Sequence, residues 1–299
     1  MANNRLLIVG ASGFLGHALC DVSGGDWERV PASRSGSRGH LVVDLTRPDL
    51  VHEVVAQVRP QWVINSAAMT SVDGCERNPA LARAIHVDGT RNLVQACERV
   101  GCGLVNLSTN YVFDGKKGPF AEADEAHPVN VYGQTKLESE VVLLNALCPG
   151  IVVRTAVLYG FRPSCRPNFV TWAISSLAGR EAIRVVTDEW TNPTFVDELA
   201  AFILKLCRTD FRGVVHFGGA DFLTRFEMVE RICAVMGLDL SLVSAVTSAE
   251  FGRAAQRPLR AGLTTALART LCDIVPASFE HNLRQLKGVS QRIANTYAR

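Results

Sequence analysis

The stretch that decides the fold is RLLIVGASGFLG, residues 5–16. An apolar run from Leu6 to Val9 reads as a strand, it ends at Gly10, and a helical pattern opens near Phe14, with glycines at 10, 13 and 16. A strand that turns on glycine into a helix lets the backbone approach a ligand closely, and it points the unpaired N–H groups of the first helical turn at that ligand. A pyrophosphate suits such a cradle. The segment therefore predicts a dinucleotide site formed by Gly10, Ser12, Gly13, Phe14, Leu15 and Gly16.

The same grammar continues outward to about residue 156. ERVPAS, LVVDL, WVINSAA, GLVNLST and GIVVRTAVLYG are short, apolar and rich in β-branched residues, and residues 14–22, 49–58, 79–100 and 131–147 have the length and periodicity of helices. Such alternation predicts an α/β fold, a doubly wound parallel sheet of Rossmann-like form. Further on, FRPSCRPN, TDEWTNPTF and GRAAQRPLR supply loops between two or three more helices. They predict a smaller C-terminal α/β substrate domain closing over the carboxyl ends of the strands. The expected division is 1–155 for an NADP-binding Rossmann domain and 156–299 mostly for substrate, with part of 192–219 returning to the first domain.

Composition narrows the function. The chain has 299 residues, 47% hydrophobic and 20% charged, with a formal charge of +2. A scattered, nearly balanced charge argues against a nucleic-acid partner. The start of the chain, MANNRLLIVGASGFLG, has an apolar run too short and too broken by glycine for a leader or a spanning helix, so a cytoplasmic protein without membrane contact is expected. Nine dispersed cysteines with no C-x-x-C and no histidine at ligand spacing predict free thiols and no metal. A homodimer is compatible with all of this.

Two further segments carry chemistry. In PASRSGSR, where the second strand ends, an NAD enzyme would place an acid for the ribose 2′-hydroxyl; here Ser33, Arg34 and Arg38 stand ready for a 2′-phosphate, which favours NADPH, with NADH the alternative. Asp44, at the end of the third strand, is placed to accept from an adenine amino group. In VYGQTK, residues 131–136, Tyr132 and Lys136 lie four apart and so on one helical face, where an ammonium would lower the tyrosine pKa and make it a proton donor.

Together the glycine loop, STNYVF and VYGQTK resemble the extended short-chain dehydrogenase/reductase superfamily. NSAAMTSVDGCERNP, STNYVFDG, VYGQTKLESE, RTAVLYG, NFV, NPTFVDELA and QRPLRAGL, in that order, are similar to the dTDP-4-dehydrorhamnose reductase family over nearly the whole chain. That resemblance implies catalysis by Thr109, Tyr132 and Lys136: a proton from Tyr132, a hold on the nicotinamide ribose by Lys136, and a hydrogen bond from Thr109 to the carbonyl. Ser108 competes for the last role, and strand alternation allows only one of the two to face the cleft. The resemblance adds Leu45, Ala67 and Ala68 to the cofactor site and assigns Thr70, Asn110, Tyr111, Asn168 and Arg257 to a nucleotide-sugar substrate. Arg257 is open between gripping a diphosphate and forming an interdomain salt bridge. His86 stands where the superfamily usually has asparagine and either relays protons or packs, and Val157 replaces a tryptophan of bacterial members.

The activity implied is NADPH-dependent reduction of the 4-keto group of a nucleotide-activated deoxysugar. Two other readings stay open. One is a reductase of another carbonyl; the other is a non-catalytic NADP-binding subunit like the regulatory β subunit of methionine adenosyltransferase, which resembles this chain in an aliphatic residue at position 157 and an AQRP element.

Overall fold

The computed structural model describes residues 4–23 and 26–298. Its centre is a sheet of β1 (Arg5–Val9), β2 (Glu28–Ser33), β3 (Leu41–Val42), β4 (Trp62–Asn65), β5 (Gly103–Thr109), β6 (Gly150–Thr155) and the later strand Gly213–Phe217. The strands lie in the order Gly213–Phe217, β6, β5, β4, β1, β2, β3, and every pairing is parallel. Helices α1 (Phe14–Asp21), α2 (Pro48–Val58), α3 (Val72–Arg77), α4 (Pro79–Arg83), α5 (Gly89–Val100) and α6 (Val131–Leu144) connect the first six strands. The α/β, doubly wound expectation holds. Strands covered on both faces must be apolar throughout, and all of β4 and β5 is buried.

One face of the sheet packs Ile8 and Val153 with Ala18 and Leu19 of α1 and with Val196, Phe202 and Ile203 of a later helix, α8. That helix is Val196–Leu206, and it leads into the returning strand Gly213–Phe217. The other face packs Leu7 and Val63 with Val51 and Val55 of α2, Leu93 and Cys97 of α5 and Leu143 of α6. A third core gathers Tyr159, Val170, Ile174, Val185, Met228 and Phe279. It unites α7 (Phe169–Ala178) and α9 (Arg225–Met236) with the parallel pair Ile183–Val186 and Val243–Val246, the smaller α/β layer.

Local chemistry moved several boundaries. LVVDL yields only Leu41–Val42, because Asp44 Oδ1 accepts from Thr46 N at 2.9 Å and turns the chain out of the sheet. The helix expected over 131–147 stops at Leu144, where Asn145 (φ −93°, ψ 4°) leaves helical geometry before Pro149 is reached. The helix expected over 79–100 carries a π-helical turn at Ala84–Asp88. GIVVRTAVLYG breaks into β6 and β7 (Leu158–Tyr159) at Val157, whose φ is 29°. That angle is unfavourable for a β-branched residue and costs on the order of 1–3 kcal/mol.

Candidate active site

The strand order reverses between β1 and β4, and open α/β sheets bind ligands at that point. A cavity of about 670 Å³ lies there. Gly10 (φ 85°) leads into it, and a Cβ on Gly10 would stand 2.7 Å from Ala67 N, so only glycine permits the approach of the two loops. Gly16 has a different task. A Cβ there would meet Gly10 O at 2.2 Å, so Gly16 lets α1 lie against the loop and does not line the cavity. Gly13 is the N-cap of α1 without a side-chain cap, and the first-turn amides are left to a ligand.

Ser12, Phe14, Leu15, Arg34, Asp44, Leu45, Ala67 and Ala68 line this cavity with Gly10 and Gly13, as expected. Besides Gly16, two residues expected beside them do not. Ser33 is buried with its Oγ unpaired. Arg38 sits in the turn Ser37–Gly39 and places Nη1 3.5 Å from His17 Nδ1, outside the cavity lining. Hydrogen bonding from Thr46, chiefly its backbone N–H, holds Asp44 below the ordinary carboxylate pKa, with a smaller pull from Arg34.

At the other end of the cavity stand Thr70, Thr109, Asn110, Tyr132 and Lys136. Asn130 caps α6, accepting from Gly133 N at 2.8 Å, and so fixes the turn that carries Tyr132. Gly133 is required because a Cβ would strike Tyr111 O at 2.1 Å. Thr109 accepts from Tyr111 N at 3.1 Å, and its hydroxyl also eases ionisation of the Tyr132 phenol. Ser108 lines the cavity as well as Thr109, against the alternation expected of a strand, but its hydroxyl donates to Glu140 and is committed there. Asn110 spans the two layers, donating to Ala261 O at 2.7 Å.

The electrostatics correct one expectation. Burial pushes Tyr132 up to about 12, and the ammonium one turn away is not among the groups that lower it. Lys136 is itself pulled down to about 8 by burial, against the attraction of Glu140. In this state desolvation outweighs the Tyr132–Lys136 pairing that the spacing suggested. Glu140 lies one turn beyond Lys136 and is held by Arg154 at 2.7 Å, a buried pair whose side chains are 1% and 7% exposed.

His86 belongs to the π-helical turn, meets the Tyr132 ring edge-on and makes two hydrogen bonds with its ring nitrogens. Its Nε2 accepts from Met69 N at 3.0 Å, and its Nδ1 is 2.8 Å from Thr135 Oγ1, which itself donates to Val131 O at 2.9 Å. With Nε2 an acceptor, Nδ1 carries the proton and both ring nitrogens are occupied. The imidazole is therefore a neutral clamp between the loop after β4 and α6; burial, aided by Lys136, pushes its pKa down to about 3.

Thr70 also borders a second cavity of about 400 Å³ beneath the C-terminal layer. Tyr111 is in its wall, with its ring centroid 6.0 Å from that of Tyr132. Arg257 lies there too, but it is engaged: its Nη1 and Nη2 donate to Asp73 at 3.2 and 2.9 Å and its Nη1 to Ala255 O at 2.8 Å. Of the two readings of Arg257, the salt bridge is the one observed. Asn168 lines neither cavity. It caps α7, accepting from Val170 N and Thr171 N, and donates to Gly160 O at 2.8 Å. Sequence reasoning missed Phe169, Trp172, Arg184, Glu189, Arg225 and Arg253, all of which line this second cavity. They come from four separate segments, and no local spacing marks them.

Among the described residues no group of three or more candidate ligands could hold a metal, no helix is long and apolar enough to cross a membrane, and all nine cysteines are free. Comparison with known proteins then places the chain. It is 38% identical over 261 residues to a dTDP-4-dehydrorhamnose reductase of Streptomyces griseus, covering 85% of this chain and 83% of that protein. It is 34% identical over 257 residues to a dTDP-4-keto-6-deoxy-D-glucose reductase of Streptomyces niveus, covering 85% and 86%. The crystal structure of dTDP-4-dehydrorhamnose reductase from Bacillus anthracis in complex with NADP superposes with a TM-score of 0.87 at 31% identity, over 95% of this chain and 98% of that one. The family model described as RmlD substrate binding domain matches residues 4–290, and the chain belongs to that family.

Proposed function

We propose that this protein reduces the 4-keto group of a dTDP-activated deoxysugar with NADPH, using Thr109, Tyr132 and Lys136. The observation that carries the reading is the position of Tyr132: a phenol kept protonated by burial in the wall of the first cavity, its ring centroid 6.0 Å from that of Tyr111 in the wall of the second. The first cavity fits the cofactor. Its glycine cradle would be filled by any Cβ, the amides of α1 face it, and Arg34 offers a guanidinium for a 2′-phosphate where an acid would favour NADH. The second cavity lies across Thr70 and Tyr111 from it and has the cations and aromatic rings that a nucleotide sugar needs. On this reading residues 1–155 serve mainly the cofactor and 156–299 mainly the substrate.

NADPH, when bound, supplies the hydride. The chain supplies the rest. Tyr132 gives its Oη proton to the developing alkoxide, a base strong enough to take it from a phenol near pKa 12. Thr109 donates to the carbonyl oxygen and holds it beside that proton. Lys136 sets a positive field beneath both, and the neighbouring Glu140 sustains its charge.

The test is oxidation of NADPH by the purified protein with dTDP-4-dehydrorhamnose, then with other dTDP-4-keto sugars. Turnover of at least one is expected. Binding of NADPH without reduction of any ketone would replace this reading by that of a regulatory subunit.

A further inference from the structure

The chain between β7 and α7 runs from the wall of the first cavity across the side of α1. Val157 and Leu158 line that cavity. At Gly160 a Cβ would stand 3.5 Å from the ring of Phe14, another residue of the same wall, and 2.9 Å from Val196 of α8. Arg162 then forms ion pairs with Asp197 of α8 and, at 3.5 Å, with Asp21 of α1. Ser164 Oγ lies 3.5 Å from His17 Nε2, and Nδ1 of the same ring lies 3.5 Å from Arg38 Nη1. The segment and the Ser37–Gly39 turn thus meet at His17, one turn into the helix whose first amides face the cavity.

The helix Ser290–Tyr297 fastens this segment from its far side. Tyr297 Oη is 3.0 Å from both Arg162 O and Cys165 O, so its one proton is shared between two backbone carbonyls, and its ring meets that of Phe161 edge-on with centroids 6.2 Å apart. Arg162 O also accepts from Cys165 N at 3.0 Å, which closes the segment into a turn, and Pro163 and Pro167 stiffen it. The helix is itself seated by the buried Ile293 and by Ser175 Oγ of α7, which donates to Ala294 O at 3.4 Å. We propose that Tyr297 is a positioning residue for the cofactor: it fastens residues 160–166 against α1, and that segment must lift to release NADPH. The inference rests on the reading of the first cavity as the NADPH site, and not on the keto sugar. Burial holds the Tyr297 phenol above its ordinary pKa, so the donor keeps its proton throughout the neutral range.

The test follows NADPH release by stopped-flow fluorescence and alkylation of Cys165 by iodoacetamide, read by peptide mass spectrometry, in the unaltered chain, Tyr297→Phe and Ser175→Ala. Tyr297→Phe keeps the ring against Phe161 and removes the hydrogen bond. Release should therefore quicken about 3- to 10-fold, and Cys165, which is half-buried, should be alkylated faster by a similar factor. Affinity should weaken less than release quickens, because lifting the segment admits the cofactor as well as freeing it. Ser175→Ala loosens the same helix away from the segment and should leave both rates unchanged. Unchanged release in Tyr297→Phe, faster release without faster alkylation of Cys165, or an equal quickening in Ser175→Ala would each overturn the inference. An unaltered protein that binds no NADPH would overturn it together with the cofactor reading. If release quickens in Tyr297→Phe and no keto sugar is reduced, the inference stands and the proposed reaction falls.

Discussion

Tyr132 and Lys136 are both buried, and burial acts on them in opposite directions: the phenol keeps its proton more firmly and the ammonium less firmly. Tyr132→Phe preserves the ring and removes the transferable proton, so kcat for a reducible keto sugar should fall about 10²-fold or more with NADPH affinity retained. Near-normal kcat would remove Tyr132 from the mechanism. Lys136 makes a separate prediction. Since its proton is held only to about pH 8, and the anionic cofactor favours the charged form, NADPH affinity should decline as pH rises through that value. In Lys136→Met the affinity should be weaker and nearly flat over the same range, which fluorescence titration can read. His86 bears on stability. In the unfolded chain it takes a proton near pH 6.5, whereas in the fold it refuses one down to about 3, so the unfolded state binds more protons between those values and stability is lost as pH is lowered across that window. The contribution reaches about 1.4 kcal/mol per pH unit. His86→Asn, which keeps an acceptor for Met69 N, should show a shallower decline of the urea midpoint with acid; an unchanged slope would mean that the imidazole is not held neutral.

Helix α6 is the element on which the site depends, because one face carries Tyr132, Lys136 and Glu140 at successive turns. Glu140→Gln leaves Arg154 charged and buried without its partner, and should cost about 3–5 kcal/mol in chemical denaturation. It should also move the loss of NADPH affinity to lower pH, because the carboxylate that supports the Lys136 charge is gone. Replacing Glu140 and Arg154 together by Leu and Met should recover much of the stability but not the pH shift, which separates packing from electrostatics. This helix was legible in the sequence because its evidence is local: a run of helical length and periodicity with a four-residue spacing inside it, although the apolar residues Val141 and Leu144 of that run lie exposed. The β1–Gly10–α1 turn was legible for the same reason. Short elements were not. Helix α3 begins at an ordinary serine cap, and β3 ends where Asp44 finds Thr46, events decided by single hydrogen bonds. Asn168 looked like a ligand residue, yet its oxygen is spent on capping α7, and Arg257, open between a diphosphate and a salt bridge, was decided only when the fold brought Asp73 to it. A sequence names one side of such bonds but not the partner that tertiary structure delivers, and of the second cavity, assembled from distant segments, only Thr70, Tyr111 and Arg257 were named in advance.

At the scale of the whole molecule, the strand Gly213–Phe217 completes the sheet beside β6, and α8 covers the inner face of α1. The chain thus leaves the sheet after β6, builds part of the smaller layer and comes back. A fragment ending at residue 155 would expose Ile151, Val153 and the apolar side of α1, all buried in the full chain. It should behave as an aggregating, non-cooperative species, whereas the full chain should unfold with coincident near- and far-UV circular dichroism transitions. A monomeric fragment that binds NADPH would contradict this.

The returning strand also bears on how the protein is made. Every residue of the nucleotide cradle and of the Thr109, Tyr132 and Lys136 set has left the ribosome well before α8 and Gly213–Phe217 exist. During that interval, roughly 4–16 seconds at about 5–20 residues per second, the unfinished sheet offers an open, apolar edge at β6. Nascent chains stalled just before residue 196 should therefore recruit chaperones and resist loading with cofactor, and chains released past residue 217 should lose the chaperone and acquire NADPH together. Cofactor capture is, on this topology, a late event in biosynthesis even though its binding residues are among the first translated.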